Sequence, residues 1–272
     1  MDTEKIMDDR TAVDTDQIDA YLRHIGAARP TAPTTQALRD LHLAHVRGVP
    51  FENLSIHLGE DIALTDEALV SKVVDAHRGG FCYELNGAFA ALLTALGFDV
   101  AMVQARVYDD RGCLGIPFDH MALRVRTEDG GDWLADVGFG AHSHLPLAFG
   151  DRGEQPDPGG TFRLTETSEG DLELTKDGAK QYLVDQRPRA LADFKVGAWY
   201  HRTSPDSHFT KSLVCSIVTE EGRVTLSGRK LVVTAGEEKT TTELATEAEV
   251  LEAYDRYFRI ALRQEPQVRT AG

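Results

Sequence analysis

One stretch, RGGFCYELNGAF at residues 78–89, constrains this chain more than any other, because it sets a cysteine at the start of an apolar-periodic run. After Cys82, apolar residues recur at helical spacing until Gly97, which predicts a helix whose first turn holds Cys82. At a helix start, unpaired N–H groups and the positive end of the helix dipole stabilise a thiolate, the nucleophilic form of cysteine. A small buried cysteine with a structural role fits the local pattern as well. The functional interpretation therefore requires a base elsewhere in the chain.

Two predicted strands further along supply a candidate base and its carboxylate partner. MALRVR and DWLADV alternate in hydrophobicity around the turn-rich TEDGG, which is the pattern of a β-hairpin. His120 opens the first strand and Asp136 closes the second. If Arg126 faces Asp132 across the ladder, His120 and Asp136 are diagonal neighbours on one face, about 7–8 Å apart between backbones. The chain thus offers a nucleophile, a base and an orienting carboxylate, in the order Cys82, His120, Asp136.

Five motifs in a fixed order carry a resemblance to a known family. They are VPFENL, RGGFCYELNG, DHMAL, LADVGFG and a C-terminal pair, AWYHRTSPDSHF with LSGRKL. Together with the triad they resemble the arylamine N-acetyltransferases over nearly the whole chain, and the RGGFCYELNG block is the specific one. The resemblance implies an α+β fold with a cysteine-protease-like triad arrangement. Its parts would be a helical bundle with the cysteine (1–97), a central β-barrel with the histidine and aspartate (98–193), and a C-terminal α/β lid (194–272).

The apolar periodicity agrees with such a division. Helical spacing recurs in residues 15–25, 34–47 and 65–76, and β alternation follows from about residue 98 to 183. The six strands predicted in that region fit a meander that closes into a barrel. The Gly- and Pro-rich segment 150–160 is predicted to be a surface loop, because no strand-to-helix context surrounds its glycines.

The resemblance implies an acetyltransferase that works through a covalent intermediate. Acetyl-CoA would be the donor and cosubstrate, and an arylamine or arylhydrazine would be the acceptor in a ping-pong reaction. Cys82 would attack the thioester, His120 would take the thiol proton and later deprotonate the amine, and Asp136 would fix the imidazole. The N–H of Cys82 is a candidate donor to the oxyanion, because it lies at a helix start.

The resemblance also implies where the substrates bind. It assigns an apolar acceptor pocket to Phe51, Phe139 and Phe209, although an ordinary core position fits each phenylalanine as well. Gly138 and Gly140 flank Phe139 and would let CoA or the acceptor approach the backbone, since glycine has no side chain.

Other polar residues have structural interpretations. Glu52 and Arg78 are charged residues in otherwise apolar motifs, so we predict that they pair with each other behind the cysteine. His42 and His45 lie on the second helix without an acidic partner, which favours a solvent-facing or core-edge position over a metal site. The HSH run at residues 142–144 lacks the three or four converging ligands of a zinc site. We therefore predict no metal and, without a dinucleotide-binding glycine fingerprint, no tightly bound cofactor.

Composition excludes several classes of protein. The chain has 44 acidic and 29 basic residues, and its net charge of −15 disfavours nonspecific binding to nucleic acid and to anionic membranes. No run approaches the roughly 18 apolar residues of a membrane span, and the N-terminus lacks a signal-peptide pattern, so a cytoplasmic protein is predicted. Cys82, Cys113 and Cys215 are odd in number and widely spaced, which favours reduced thiols, the last two structural.

Two alternative functions stay open at this point. An amide synthase of the same family, which releases a polyketide as a macrolactam from a carrier protein, would share every motif. A thiol hydrolase of the papain or transglutaminase type would share the triad but would not explain the presence of the VPFENL and GFG motifs. Asp119 and residues 111–118 depart from the family pattern, so the acceptor amine stays open. The oligomeric state and the basic residues that bind the CoA phosphates are not specified either.

Overall fold

Residues 13–269 are described by the computed structural model, and the outer ends of the predicted first and third parts lie outside that range. Within it, the chain combines helices with an eight-stranded and a five-stranded sheet, so the predicted α+β class is confirmed. The helices are α1 (Thr15–Ile25), α2 (Thr35–Gly48), α3 (Leu54–Leu58), α4 (Asp66–Val74), α5 (Cys82–Ala95), α6 (Lys195–Thr203), α7 (His208–Lys211) and α8 (Glu247–Phe258).

The strands follow the predicted β region and continue into the last third of the chain. They are β1 (Phe51–Glu52), β2 (Asp99–Val107), β3 (His120–Arg126), β4 (Asp132–Ala135), β5 (Leu147–Ala148), β6 (Gln155–Asp157), β7 (Gly160–Glu166), β8 (Leu172–Lys176), β9 (Ala179–Arg189), β10 (Cys215–Val218), β11 (Gly222–Ser227), β12 (Lys230–Ala235) and β13 (Glu238–Glu243). Every pairing between these strands is antiparallel.

Helix α5 is the central element of the helical part. Its residues 82–93 are all buried, so it is enclosed on every side, whereas α1 buries a single stripe. It packs on α4 and on β3, which brings the helical part against the sheet. The chain leaves the helix as predicted at Gly97, which adopts the left-handed conformation with φ of 91°. A helix buried on all sides has few ways to shift, so its first residue, Cys82, is held in a fixed position.

The eight-stranded sheet forms a nearly closed barrel in the order β5-β4-β3-β2-β9-β8-β7-β6. It differs from the single meander that the sequence predicts. Two runs of neighbouring strands, β2 to β5 and β6 to β9, are joined by the pairing of β2 with β9, which lie far apart in sequence. Alternation along each strand predicts a half-buried strand but does not specify partners, so this long-range pairing was not predicted.

A glutamine side chain bridges the gap between the two barrel edges. The Ala148 N–H of β5 donates to the Gln155 side-chain oxygen over 2.7 Å, and the Gln155 side-chain nitrogen donates to the Ala148 carbonyl over 3.0 Å. The amide thus reproduces one pair of ladder bonds where the two backbones do not pair. Gln155 belongs to β6, so the prediction of a loop over residues 150–160 was wrong for Gln155–Asp157.

The five-stranded sheet has the order β1-β10-β11-β12-β13, and α8 packs against it. Its first strand comes from the VPFENL motif, because Phe51 pairs with Ser216 and Glu52 pairs with Cys215. The side chain of Asn53 extends this junction, since its oxygen accepts from the Val214 N–H over 2.9 Å. An early segment of the chain is therefore built into the sheet of the last third. The boundaries of the three predicted parts, at 97 and 193, stay predictions.

Buried apolar side chains form three cores, one around α5, one between the five-stranded sheet and α8, and one inside the barrel. Cys82 belongs to the first of them. Among the helices of residues 13–269, none has the length and apolar character needed to span a bilayer.

Candidate active site

Cys82 is the first residue of α5 and is only 3% exposed. Phe81 precedes it in an extended conformation, and the Phe81 N–H donates to the Glu84 carboxylate over 3.2 Å. Glu84 also accepts from the Lys72 ammonium over 2.5 Å, which ties the helix start to α4. These bonds hold the backbone on both sides of Cys82. Its predicted position in the first turn is confirmed.

His120 begins β3, and its Nε2 lies 2.8 Å from Oδ2 of Asp136, with both side chains buried. The strand register is the predicted one, since Arg126 pairs with Asp132. Asp136 directly follows the last residue of β4, so continuing that register makes it a diagonal neighbour of His120. The predicted hydrogen bond between imidazole and carboxylate is therefore confirmed.

The Cys82 side chain lies beside the same imidazole and contributes to its pKa, and since Nε2 is bound to Asp136, Nδ1 is the nitrogen available to the thiol. Burial lowers the pKa of His120, but the Asp136 carboxylate outweighs it and, together with Cys82, raises this pKa to about 10. Burial acts to raise the pKa of Asp136, yet His120 holds it well below its usual range. A protonated imidazole beside a thiol is the partner that a thiolate requires. The arrangement is thus suited to nucleophilic chemistry.

Four donors surround the Asp136 carboxylate. Besides His120, it accepts from the Tyr182 hydroxyl, the Asn86 side-chain nitrogen and the Gly138 N–H, each over 3.0 Å. A carboxylate with this many donors keeps its charge and its orientation even when buried. The imidazole that it binds is therefore fixed in direction.

Asn86 and Tyr182 were not among the residues predicted for the site. Asn86 lies one helical turn after Cys82 in the RGGFCYELNG block, so spacing could have identified it. Its side chain also donates to the Met121 carbonyl over 2.6 Å and accepts from the Val137 N–H over 3.0 Å. Tyr182 has no such local signal, because it reaches the site only through the pairing of β9 with β2.

A second imidazole, His142, lies behind the carboxylate. Its Nε2 is 3.2 Å from the Tyr182 hydroxyl oxygen and 3.8 Å from Asp136 Oδ2. Tyr182 has one hydroxyl hydrogen and donates it to Asp136, so His142 must donate to Tyr182 through an Nε2–H. Its Nδ1 then has a lone pair with no partner among the described residues. Burial lowers the pKa of His142 to about 4, so this ring is neutral at pH 7.

His42 and His45 are both completely buried, so the prediction of a solvent-facing or core-edge position was wrong. His42 accepts from the Asp136 N–H over 3.2 Å through Nε2, and its Nδ1 donates to the His144 carbonyl over 2.9 Å. It thereby supports the backbone of the triad carboxylate. His45 bonds to the hydroxyl of Tyr21 over 2.9 Å. Within residues 13–269, no group of three or more His, Cys, Asp or Glu side chains is arranged to bind a metal ion.

The predicted pairing of Glu52 with Arg78 is confirmed. The Arg78 guanidinium donates to Glu52 over 2.9 Å, and Glu52 is completely buried. Arg78 also pairs with Glu60 over 3.2 Å. Its charge is therefore shared by two carboxylates, which leaves less of it to bias the thiol of Cys82.

The three predicted pocket phenylalanines lie in two places, and each is half-buried. The ring of Phe139 lies 5.2 Å from that of His120, while the rings of Phe51 and Phe209 lie 6.1 Å apart. Gly140 connects the two places, because a Cβ there would lie 3.7 Å from the Phe51 ring. Their role in binding an acceptor stays a prediction.

Gly138 has a structural reason to lack a side chain. A Cβ at this position would lie 2.8 Å from Cα of Cys82 and 2.6 Å from the Asn86 side-chain nitrogen. The segment after β4 therefore packs directly on the helix start that carries Cys82. The predicted approach of CoA to Gly138 and Gly140 is not decided by these contacts and stays a prediction.

Comparison with known proteins shows what this chain is similar to. A family model described as N-acetyltransferase matches residues 34–268. An arylamine N-acetyltransferase of Mycolicibacterium smegmatis is 34% identical over 251 residues, which cover 89% of this chain and 91% of that protein.

Solved structures show the same likeness in three dimensions. M. smegmatis arylamine N-acetyltransferase matches with a TM-score of 0.85 at 34% identity and covers 96% of this chain and 98% of its own. The arylamine N-acetyltransferase of Mycobacterium marinum in complex with CoA matches with a TM-score of 0.82 at 31% identity, over 89% and 92% of the two chains. The similarity thus spans the helical part, the barrel and the five-stranded sheet.

Proposed function

The chain belongs to the arylamine N-acetyltransferase family, and from that premise we propose that it transfers an acetyl group from acetyl-CoA to the amine of an arylamine or arylhydrazine. The transfer would pass through a thioester on Cys82. The observation that carries this proposal is the buried His120 imidazole, which is bonded to Asp136 at Nε2 and has the Cys82 side chain as a neighbour. The M. marinum relative with bound CoA supports CoA as the carrier of the acetyl group.

In the first half-reaction, the Cys82 thiolate attacks the acetyl carbonyl carbon of acetyl-CoA. The tetrahedral intermediate carries its charge on the former carbonyl oxygen, for which the Cys82 N–H at the helix start is the candidate donor. The carbon–sulfur bond to CoA then breaks, and the proton of the His120 imidazolium goes to the departing CoA thiolate. The products are free CoA, a Cys82 thioester and a neutral imidazole.

In the second half-reaction, the amine nitrogen attacks the Cys82 thioester. His120, now neutral, removes the proton that the nitrogen must lose, and the Cys82 thiolate leaves. Asp136 stabilises the imidazolium that forms, without itself taking a proton. The amide product departs and the thiolate–imidazolium pair is restored.

An acetylated cysteine serves transfer only if water reaches it slowly. Cys82, His120 and Asp136 are each at most 3% exposed, and the Phe139 ring lies against the imidazole. We assign Phe51, Phe139 and Phe209 to the walls that bind an aromatic acceptor. The same apolar surface would exclude water from the Cys82 thioester until the acceptor amine binds.

Pre-steady-state kinetics test this proposal. Acetyl-CoA alone should give a burst of free CoA equal to the enzyme concentration, and then a slow steady state. An arylamine should accelerate turnover, with parallel double-reciprocal plots. Cys82→Ser should abolish the burst, whereas Cys113→Ser, a change at an exposed cysteine, should leave it intact. Rapid CoA release that no amine increases would identify a hydrolase instead and overturn the proposal.

A further inference from the structure

Four basic side chains from separate elements converge beyond the GFG segment, and we name Arg47, His144, Lys176 and Arg223 the basic cluster. Burial lowers the pKa of His144, Asp157 opposes this, and Arg223, Arg47 and Lys176 lower the pKa further. Contacts place two of these cations at the GFG segment, since the Lys176 ammonium donates to the Ala141 carbonyl and the Arg223 guanidinium donates to Ser216, the strand partner of Phe51. Such a gathering is unusual in a chain whose net charge is −15.

Arg223 is the most informative member of the basic cluster. It is half-buried in β11, and burial lowers its pKa. Its guanidinium donates to the Ser216 hydroxyl over 3.1 Å. Among residues 13–269, no carboxylate lies within the 4.0 Å of an ion pair. Desolvating a cation without a counter-charge is costly, so the position favours an anion that arrives with a ligand.

Lys176 is likewise half-buried and has no carboxylate within that distance among the described residues. Its ammonium donates to the Ala141 carbonyl over 3.3 Å and lies 5.8 Å from the centre of the Phe162 ring. Two acidic residues lie beside the cluster, and both are already engaged. Asp157 accepts from the N–H groups of His144, Leu145 and Gly159, and Asp177 accepts from the Thr161 N–H. The positive charges are thus left for a ligand.

The basic cluster lies next to the candidate active site. His144 is joined to it through the ring of His42, which bonds to the His144 carbonyl on one side and to the Asp136 N–H on the other. Ser216, which Arg223 contacts, faces Phe51 across the ladder of β1 and β10. Six residues separate Gly138, which packs on Cys82, from His144, so at most about 20 Å of chain connects them.

We propose that Arg223 and Lys176, supported by Arg47 and His144, bind the phosphate groups of CoA while its thioester lies at Cys82. This inference rests on the proposed function and adds the recognition of the donor to it. CoA carries its negative charge on phosphates at the end remote from the sulfur. The guanidinium and the ammonium, which form no ion pair with a carboxylate of residues 13–269, match that charge with charge-assisted hydrogen bonds. The acidic remainder of the surface would repel the same ligand.

Steady-state kinetics with two acetyl donors test the inference. Arg223→Gln and Lys176→Gln should each raise the KM for acetyl-CoA about tenfold, since each removes a charge-assisted contact. S-acetylpantetheine keeps the thioester arm but lacks phosphates, so the variants and the wild-type protein should use it equally well. Matched controls are Arg163→Gln and Lys180→Gln, whose side chains pair with Glu154 and Glu173 on the barrel surface and should leave both KM values unchanged.

The outcomes separate this inference from the proposed function. If the wild-type protein gives no burst of free CoA with acetyl-CoA, the proposed function itself is overturned. A normal burst, with cluster variants that behave like the controls, would overturn the phosphate site and leave the function standing. Equal losses with acetyl-CoA and with S-acetylpantetheine would also overturn the phosphate site, because they would show that these side chains maintain the fold and do not bind phosphate. Thermal unfolding of each variant checks that it is folded.

Discussion

Cys82 is buried, and it differs from the other two cysteines in having the His120 imidazole beside it. Cys113 is exposed, Cys215 is buried, and all three are free. Near pH 7, iodoacetamide should alkylate Cys82 roughly tenfold faster than Cys113, because an imidazolium beside a thiol favours the reactive thiolate. Burial raises the pKa of Cys215 well above its usual value, so it should react slowest. Peptide mapping by mass spectrometry measures the three rates, and His120→Gln should remove the advantage of Cys82. Uniform labelling would contradict the assigned roles.

The four donors around Asp136 predict unequal effects of two substitutions. Asp136→Asn presents an amide where His120 needs an acceptor, which favours the wrong tautomer and should lower kcat by about 10⁴-fold, as in serine-protease triads. Tyr182→Phe removes one of several donors to the same carboxylate and should cost only about tenfold. Turnover with acetyl-CoA and a saturating arylamine compares them. Equal losses would show that Asp136 acts through the network as a whole rather than through His120.

The sequence was sufficient to predict the helix start at Cys82 and the bond between His120 and Asp136, but not the residues that hold them. The triad carries local signals, namely a helix start and a hairpin register. Tyr182 and His142 reach the carboxylate only after β9 pairs with β2 and the chain after β4 folds back. Such contacts depend on tertiary pairing, which periodicity does not encode.

At the scale of elements, the start of α5 depends on Glu84. Its carboxylate accepts from the Phe81 N–H and pairs with Lys72, and burial raises its pKa. Glu84→Gln keeps an acceptor for the N–H but leaves Lys72 without its partner charge. The free energy of unfolding in urea should fall by about 3 kcal/mol, the lower end of the range for breaking a buried pair, because Lys72 keeps some contact with solvent. As a control, Asp99→Asn breaks an exposed pair with Arg126 and should change it by under about 0.5 kcal/mol.

The prediction of elements from periodicity succeeded where the elements were long. Helices α1, α2, α4 and α5 and six of the barrel strands follow from apolar spacing. Strands β5 and β6 have two and three residues, too few for alternation to be visible. They complete the barrel because the Gln155 side chain pairs with Ala148. The composition of this segment favours a loop and therefore does not indicate that contact.

At the scale of the whole molecule, buried imidazoles make stability depend on pH. Burial lowers the pKa of His42 and His142 to about 4, from a usual value of 6.5. Their stabilising contribution is complete above pH 6.5 and is lost as the pH falls towards 4, because the unfolded chain binds the protons first. The raised pKa of His120 stabilises the fold fully below pH 6.5, so it offers no compensation in this window. The free energy of unfolding should fall by about 3 kcal/mol per histidine.

His142→Gln isolates one of these contributions. Glutamine can donate to Tyr182 as the imidazole does, but it does not titrate. Urea unfolding at pH 6.5 and at pH 4 should therefore show a smaller loss in this variant than in the wild-type protein. An unchanged difference between the two pH values would show that His142 plays no part in it.

The division into parts at residues 97 and 193 and the cytoplasmic location stay predictions. The family and the α+β fold, in contrast, are confirmed over most of the chain. Motif order made the family recognisable from sequence, whereas the sharing of one sheet between distant segments required the folded structure.

That shared sheet also imposes an order of events on biosynthesis. Phe51 and Glu52 leave the ribosome about 160 residues ahead of Ser216 and Cys215, the residues with which they pair. At about 5–20 residues per second, the early strand waits roughly 10–30 s for its partner. Throughout that interval the nascent chain already carries Cys82, so the candidate nucleophile is synthesised before β10 can pair with β1.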